Sequence, residues 1–556
     1  MQIVIPMSGF GERFRKAGYD MPKPLICVEG KPIIAHVINM FPDETDFVFI
    51  CNQEHLDNPY YSMESIIKLY CPTGRIIGIA PHKLGPIYAV LEIEEMLDPT
   101  MPVIVNYCDF TCYWDWTHFK NFIAHTKCLG AIPAYRGFHP HSLGSTNYAY
   151  IKERDGWILD IQEKQPFTDE RMDEYASSGT YYFASVRLMT DSFRLAMQKD
   201  FNVGGEYYVS LAYKLLLQNN DPIAVYPLQH FMQWGTPEDV DEYNSWSNLF
   251  RLLTNRTSQN HESHGSTIVP MAGLGQRFID ANYSVAKPLI LVSGSPMVAQ
   301  AVKDLPASKY HVFVLRAGMK GCANIIDSLK KLYPKSFIKT IDGITEGQAC
   351  TVLLGLDLLE GECKNDIEPI TIGACDNGVL YDLNEYQKIF SRGDVDIIVW
   401  GIRGHPSAIR HPEMYGWIDH AENYIKSISV KKPLLDPRLD PIVLGTFTFK
   451  RFADLRCSIN SLIARNERVN GEFYLDSCIN DAIKLGLRCY FFEVDAYIGW
   501  GTPNDLQTFE YWQSCFHKWA QHPYRLENDD ISVDQKNVLE IKYQAIVPPM
   551  LPARIC

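Results

Sequence analysis

IVIPMSGFGERF, residues 3–14, reads as a short apolar strand that runs into a glycine turn and then opens a helix. The turn holds Gly9 and Gly11, which let backbone approach a ligand closely, and the free N–H groups at the following helix start can face phosphate oxygens. A single G-x-G of this kind is weak evidence, because many folds make a tight strand-to-helix turn for structural reasons. The reading changes at residues 267–278, TIVPMAGLGQRF, where the same pattern recurs with Gly273 and Gly275. In both places an arginine, Arg13 or Arg277, is followed ten positions later by a lysine, Lys23 or Lys287, that opens the segment KPLI.

Working outward from these two stretches, further blocks match in the same order. They are VNYCDF with IGACDN, IQEKQP with ISVKKP, SSGTYYF with VLGTFTF, GGEYY with NGEFY, and QWGTPED with GWGTPND. The spacing between copies stays between 264 and 267 residues throughout, a collinearity that chance does not sustain over six blocks. Between the copies, Arg251 to Ser266 is polar and rich in Asn, Ser and Gly, which is linker composition. The expected organisation is a first domain over 1–254, a linker over 255–266, a second domain over 267–521 and a C-terminal extension over 522–556. The extension carries an acidic run and several prolines, which suggest an irregular segment docked on, or trailing from, the second domain.

The chain has 556 residues, 46% hydrophobic and 21% charged, enough to core two large domains. Its net charge of −14 argues against nucleic acid as a partner, since such binding needs a basic stripe to replace counterions. The N-terminus lacks the basic-then-apolar pattern of a signal peptide, and no apolar run approaches the ~20 residues of a spanning helix. No membrane insertion is expected. The fifteen cysteines are scattered through apolar segments without zinc-like spacing, which points to reduced thiols and a cytoplasmic location. Homo-oligomer formation is left open. Apolar runs such as DFVFICN, MPVIVNYCD and YHVFVLRA, separated by amphipathic stretches, imply an α/β sheet covered by helices. In such sheets ligands sit outside the carboxyl ends of the strands, where the glycine turns and the CD motifs fall.

The combination G-x-G-x-R…K-P-L, present twice, resembles the sugar-phosphate nucleotidylyltransferase family, and the resemblance extends through nearly all of both halves. It is neither the Walker pattern nor the dinucleotide fingerprint. The resemblance implies two tandem nucleotide-binding, Rossmann-like, GT-A-related three-layer α/β/α domains with mixed central sheets. It implies a reaction in which a substrate phosphate attacks the α-phosphorus of a nucleoside triphosphate in line and pyrophosphate leaves. The partners are then an NTP and a phosphorylated sugar or related alcohol. Such chemistry needs charge neutralisation and positioning, with no covalent nucleophile.

Carried over by the resemblance, Arg13, Lys23, Arg277 and Lys287 handle the reacting phosphates. Gly9, Gly11, Gly85, Gly273, Gly275, Gly347 and Gln348 bind the nucleotide. Gln348 offers a side chain for a base edge where the first copy has Pro86, so the base stays open, with pyrimidines slightly favoured. Asp109 and Asp376, each after an apolar strand, are the expected ligands of Mg²⁺. Glu163, Lys164, Gly179 and Glu206, with Lys431, Gly445 and Glu472 in the second copy, are the expected acceptor residues.

Two departures stand out. Glu163 of the E-K segment has Val430 as its counterpart, so the copies hold different acceptors or the second has lost sugar recognition. The family commonly carries a second metal-binding Asp two residues before the glycine of G-T-P, and here those positions are Gln233 and Gly499. Asp495, four residues before Gly499, is a weak substitute. The W-G-T-P form, with Trp234 and Trp500, resembles a branch associated with capsule and surface-polysaccharide genes. Competing readings are a nucleotide-sugar-dependent glycosyltransferase, which would normally show an Asp-x-Asp motif, and a catalytic half joined to a ligand-binding regulatory half.

Overall fold

The computed structural model describes residues 1–145, 147–254, 265–362 and 368–553. The chain forms two compact units. The first comprises Met1–Ser247, Ser514–Pro523 and Tyr543–Cys556, and the second Asn248–Gln513 and Tyr524–Lys542. Both long helices at the domain ends, Pro237–Thr254 and Pro503–Lys518, are divided between units, one after Ser247 and the other after Gln513. Most of the sequence-expected linker, 255–264, lies outside the described residues, and Ser266 already begins a strand. The region after His522 contains a helix, Val533–Lys542.

The first unit is built on a ten-stranded sheet. Its strands run in the order Arg75–Ile79, Phe47–Asn52, Gln2–Met7, Val103–Asn106, Thr180–Phe183, Gly130–Tyr135, Ile223–Leu228, Trp157–Glu163, Ala149–Arg154 and Tyr175–Ser177. The first four are parallel, Thr180–Phe183 is antiparallel to both neighbours, and Gly130–Tyr135 pairs in parallel with Ile223–Leu228. The sheet is therefore mixed. Its central strands are apolar on both faces, as Phe47–Asn52 illustrates by being buried throughout, because helices cover both sides. Val4, Val48 and Val105 pack with Ile87, Phe193 and Tyr213 from the helices Pro86–Leu91, Val186–Gln198 and Val209–Gln218. On the opposite face, Phe47 meets Phe41, which also makes edge contacts with Trp114 and Trp116. This is the three-layer α/β/α arrangement.

The second unit repeats the order strand for strand with nine: Ser336–Ile341, Tyr310–Arg316, Ser266–Pro270, Ile370–Ile372, Ile442–Phe449, Ile397–Ile402, Cys489–Glu493, Tyr424–Val430 and Gly416–Ala421. The missing strand is absorbed by Ile442–Phe449, which pairs with Trp417 at one end and Ile370 at the other. In the first unit that path is broken into two strands at Gly179.

Every cysteine among the described residues is a free thiol. No helix among them is long and apolar enough to cross a membrane. His139, 2% exposed, is held neutral by burial, which lowers its pKa from 6.5 to about 4. Between those two values the unfolded chain takes up a proton that the folded chain refuses, so stability is lost as pH falls through this window. Acidification from pH 7 to pH 4 is expected to cost roughly 3 kcal/mol through this side chain. His139→Gln should flatten the pH dependence of the urea midpoint by a corresponding amount.

Candidate active site

The strand Gln2–Met7 ends at the glycine turn, where Gly11 takes a left-handed conformation (φ 61°) and caps the short helix Glu12–Lys16. A side chain there would be strained. Lys23 lies beneath the turn, its Cβ 3.8 Å from where a Cβ on Gly11 would stand, while Gly9 faces open space. Gly275 repeats this with φ 67° over Lys287, and Gly273 is likewise unobstructed.

Asp109 follows the strand Val103–Asn106 by a short bend and directly precedes a second strand, Phe110–Tyr113. Phe110–Tyr113 forms a two-stranded ribbon with His230–Gln233, in register Gln233 to Phe110, and Trp234 N–H donates to Asp109 O at 2.8 Å. The ribbon thus brings the W-G-T-P segment beside the aspartate. The second unit repeats it, with Asn377 opposite Gly499 and Trp500 N–H donating to Asp376 O at 2.8 Å.

Lys23 Nζ donates to Asp109 Oδ2 at 2.5 Å, and Lys287 Nζ to Asp376 Oδ2 at 2.5 Å. Burial opposes the charge on each lysine, but the adjacent aspartate and the Cys108 or Cys375 thiol outweigh it and hold both lysine pKa values above the ordinary one. Each half therefore carries a preformed Lys–Asp pair at the carboxyl end of its sheet.

Around the first pair lies a cavity of about 570 Å³. Gly9, Gly11, Arg13, Lys23, Gly85, Asp109, Lys164 and Glu206 all line it. Arg13 is exposed at its rim and forms no ion pair among the described residues. Lys164 donates to Tyr208 Oη at 2.5 Å and lies over that ring, while Tyr208 Oη donates to Glu206. Glu163 does not line the cavity; it accepts a hydrogen bond from Ser210 Oγ at 2.5 Å, and burial raises its pKa. Gly179 also lies off the cavity, with φ 95° and its carbonyl accepting from Tyr107 N–H at 3.0 Å, so it supports the Asp109 bend from behind.

In the second unit, Arg277 is exposed with one guanidinium nitrogen 3.8 Å from Met414 Sδ. Lys431 donates to the Met414 carbonyl at 2.5 Å and faces the Tyr474 ring. Gly445 has φ 70° inside its strand, Glu472 is exposed, and Gln348 opens the helix Gln348–Glu362.

Gly85 and Gly347 have a structural duty that composition does not reveal. Each stands where a Cβ would collide with backbone of the G-E segment, at 2.8 Å from Tyr207 N or 2.5 Å from Phe473 N. Two backbone hydrogen bonds tie these loops together in each half: Tyr207 N to Leu84 O with Ile87 N to Tyr207 O, and Phe473 N to Glu346 O with Ala349 N to Phe473 O. The glycine loop and the G-E segment are thereby joined by backbone in each half.

Sequence reasoning missed several groups. His82 and Lys83 also line the cavity; His82 Nε2 lies 3.1 Å from Ser8 Oγ, and Lys83 pairs with Glu12 at 2.6 Å. Asp239 and Asp505 recur 266 residues apart, a repeat that the sequence itself carries. Each accepts from the threonine of its own G-T-P segment, and Asp239 also accepts from Gln233 Nε2 at 2.6 Å. Asp495 lies at the far end of the ribbon from Gly499, four residues or about 13 Å away along an extended strand, and does not stand in for a metal ligand beside Asp376.

Metal-ligand chemistry fits the first half better than the second. Gln233 Oε1 is buried without a hydrogen-bond partner, next to Asp109 on the ribbon, and an amide oxygen suits a hard cation. Gly499 supplies no such atom, and its open side is taken by the Tyr497 ring.

Residues 3–201 match the family model for nucleotidyl transferase. Among curated relatives, the bifunctional protein GlmU of Ralstonia nicotianae is 24% identical over 286 residues, covering 50% of this chain and 57% of that protein. The GlmU of Methanocaldococcus jannaschii is 23% identical over 247 residues, covering 44% and 54%. The chain thus spans about half the length of the curated relatives it matches. Among solved structures, a nucleoside-diphosphate-sugar pyrophosphorylase from Vibrio cholerae is 22% identical, with 44% of this chain and 98% of that one covered and a TM-score of 0.37. The inositol-1-phosphate CTP transferase from T. maritima is 14% identical, with 47% and 100% covered and a TM-score of 0.36. The stretch that matches the nucleotidyl transferase model takes in the glycine turn, the Lys23–Asp109 pair and Lys164 of the first half.

Proposed function

We propose that the protein is a sugar-phosphate nucleotidylyltransferase that condenses an NTP with a phosphorylated sugar or related alcohol and releases pyrophosphate. The observation that carries this reading is the single cavity in which Arg13, the Lys23–Asp109 pair and Lys164 converge. A phosphate oxygen of the acceptor attacks the α-phosphorus, and the bond to the pyrophosphate oxygen breaks. Arg13 and Lys23 neutralise the charge that builds on the triphosphate and on the leaving pyrophosphate. Lys164, ordered by Tyr208, holds the acceptor phosphate in line.

Members of the family generally use a divalent metal. We take it here to be Mg²⁺, which suits a site of few protein ligands that keeps several waters. Asp109 and Gln233 Oε1 would hold it in the first half, and Asp376 in the second. When bound it supplies charge neutralisation at the phosphates. Lys23 then exchanges Asp109 for a phosphate oxygen. The repeated strand order and repeated motifs support a tandem duplication, with domains near 1–254 and 267–521. A role in surface-polysaccharide assembly rests on the W-G-T-P form alone, and a cytoplasmic location on the nucleotide substrates.

Arg13→Ala is expected to lower pyrophosphate release by the first half on the order of 100-fold, with an unchanged thermal midpoint because Arg13 is exposed. A broad screen of NTPs and phosphosugars with the full chain that released no pyrophosphate would end this reading. Sugar transfer from a nucleotide-sugar donor would replace it with a glycosyltransferase.

A further inference from the structure

Three residues around one rung of the sheet differ together between the halves. In the first unit, Glu163 ends the strand Trp157–Glu163 and is paired with Ala149 on the neighbouring strand. Its carboxylate accepts from Ser210 Oγ, on the second residue of the helix Val209–Gln218. In the second unit the same rung pairs Val430 with Gly416, and the helix Leu475–Lys484 carries Asp476 at its second residue. A carboxylate has left the strand and another has arrived on the helix.

The change on the third residue explains how the new carboxylate fits. Asp476 Oδ2 lies 2.3 Å from where a Cβ on Gly416 would stand, so the alanine of the first half would collide with it. Shortening that residue to glycine opens the space against the rung that Val430 occupies. Asp476 also stands in the first turn of its helix, where the N-terminal partial positive charge favours a carboxylate. It interacts electrostatically with Lys431, the acceptor-phosphate lysine, which in turn faces Tyr474 as Lys164 faces Tyr208. Burial raises the Asp476 carboxyl to about 6, and Lys431 opposes that shift.

We propose that Asp476, on the helix beside the rung where the first half has Glu163, is the acceptor-binding carboxylate of the second half, and that this half therefore binds a hydroxyl-bearing phosphomonoester. The inference rests on the nucleotidylyltransferase reading and deepens it. Val430 is then one partner in a relocation and does not mark a lost site. Because an aspartate on the helix reaches from another direction than a glutamate on the strand, the two halves select differently placed hydroxyls.

The test uses the full chain with the first acceptor site silenced by Glu163→Gln and Lys164→Ala. Calorimetry follows binding of a panel of hexose 1-phosphates and phosphorylated polyols, with inorganic phosphate as the hydroxyl-free probe. Asp476→Asn is expected to weaken the panel's best ligand on the order of 10- to 100-fold, the range for a charged hydrogen bond, while phosphate affinity changes less than about twofold. The triple exchange Gly416→Ala, Val430→Glu, Asp476→Ser should return affinity for some panel member, its circular dichroism matching the parent's. Equal weakening of phosphate and sugar phosphate, no weakening of either, or no residual binding once the first site is silenced would each overturn the proposal. Absence of any panel binding and of any pyrophosphate release by the unmodified chain would instead remove the underlying reading, and the proposal with it.

Discussion

Asp109→Asn is expected to reduce pyrophosphate release by the first half on the order of 10²- to 10³-fold, measured with the second half disabled by Asp376→Asn. Asparagine keeps the size of the side chain and an oxygen that can accept from Lys23, so the loop is retained. The negative charge is what disappears. Two consequences follow from the 2.5 Å contact with Lys23. A divalent cation loses the carboxylate that directly precedes the ribbon, since Gln233 stands where a second aspartate would be expected. Lys23 also loses the partner that offsets its burial, so its pKa falls and less of it is charged for the phosphates. Calorimetry with Mg²⁺ and a nonhydrolysable NTP should show weakened metal binding in step with the rate. A variant that turned over within about tenfold of the parent, with the Asp376→Asn control active to the same degree, would show that Asp109 carries no metal or phosphate charge.

Gly347→Ala is the second large effect, and it acts on the fold. The residue sits at φ 134°, and a Cβ would lie 2.5 Å from Phe473 N and 2.6 Å from Phe473 O. The conformational strain costs about 1–2 kcal/mol and the overpacking about 1–3 kcal/mol, so a loss of roughly 2–5 kcal/mol is expected in denaturant unfolding. The clash falls on the two hydrogen bonds that tie the Gly347 loop to the G-E segment, so, on the proposed function, ligand affinity in the second half should fall further than stability alone accounts for. Gly85→Ala should behave the same way in the first half, at φ 87° against Tyr207. A cost below about 1 kcal/mol at both positions would mean that these loops move apart freely.

Much of the site was legible before any coordinates. The glycine turns, the arginine–lysine spacing and the CD motifs recur in the same order at nearly constant offset, and these residues sit in local backbone geometry at strand ends, which short motifs encode directly. The mixed α/β character was legible for the same reason: apolar runs flanked by amphipathic helices have their own periodicity. The acceptor side was read less completely. Glu163 to Ser210, and Val430 to Asp476, are separated by 47 and 46 residues. Nothing in either segment announces that one residue compensates for the other.

The amino-acid sequence by itself determined that this protein holds two copies of one motif pattern, because the same residue types in the same order at nearly constant spacing are a property of the chain alone. Tertiary structure decided what surrounds each copy. It zipped the W-G-T-P segments onto the aspartate bends and packed Gly85 and Gly347 against distant backbone. It also brought Asp476 against Gly416, opposite Val430. These are contacts between segments far apart in the chain, set by sheet register and side-chain volume, and local pattern carries no record of either.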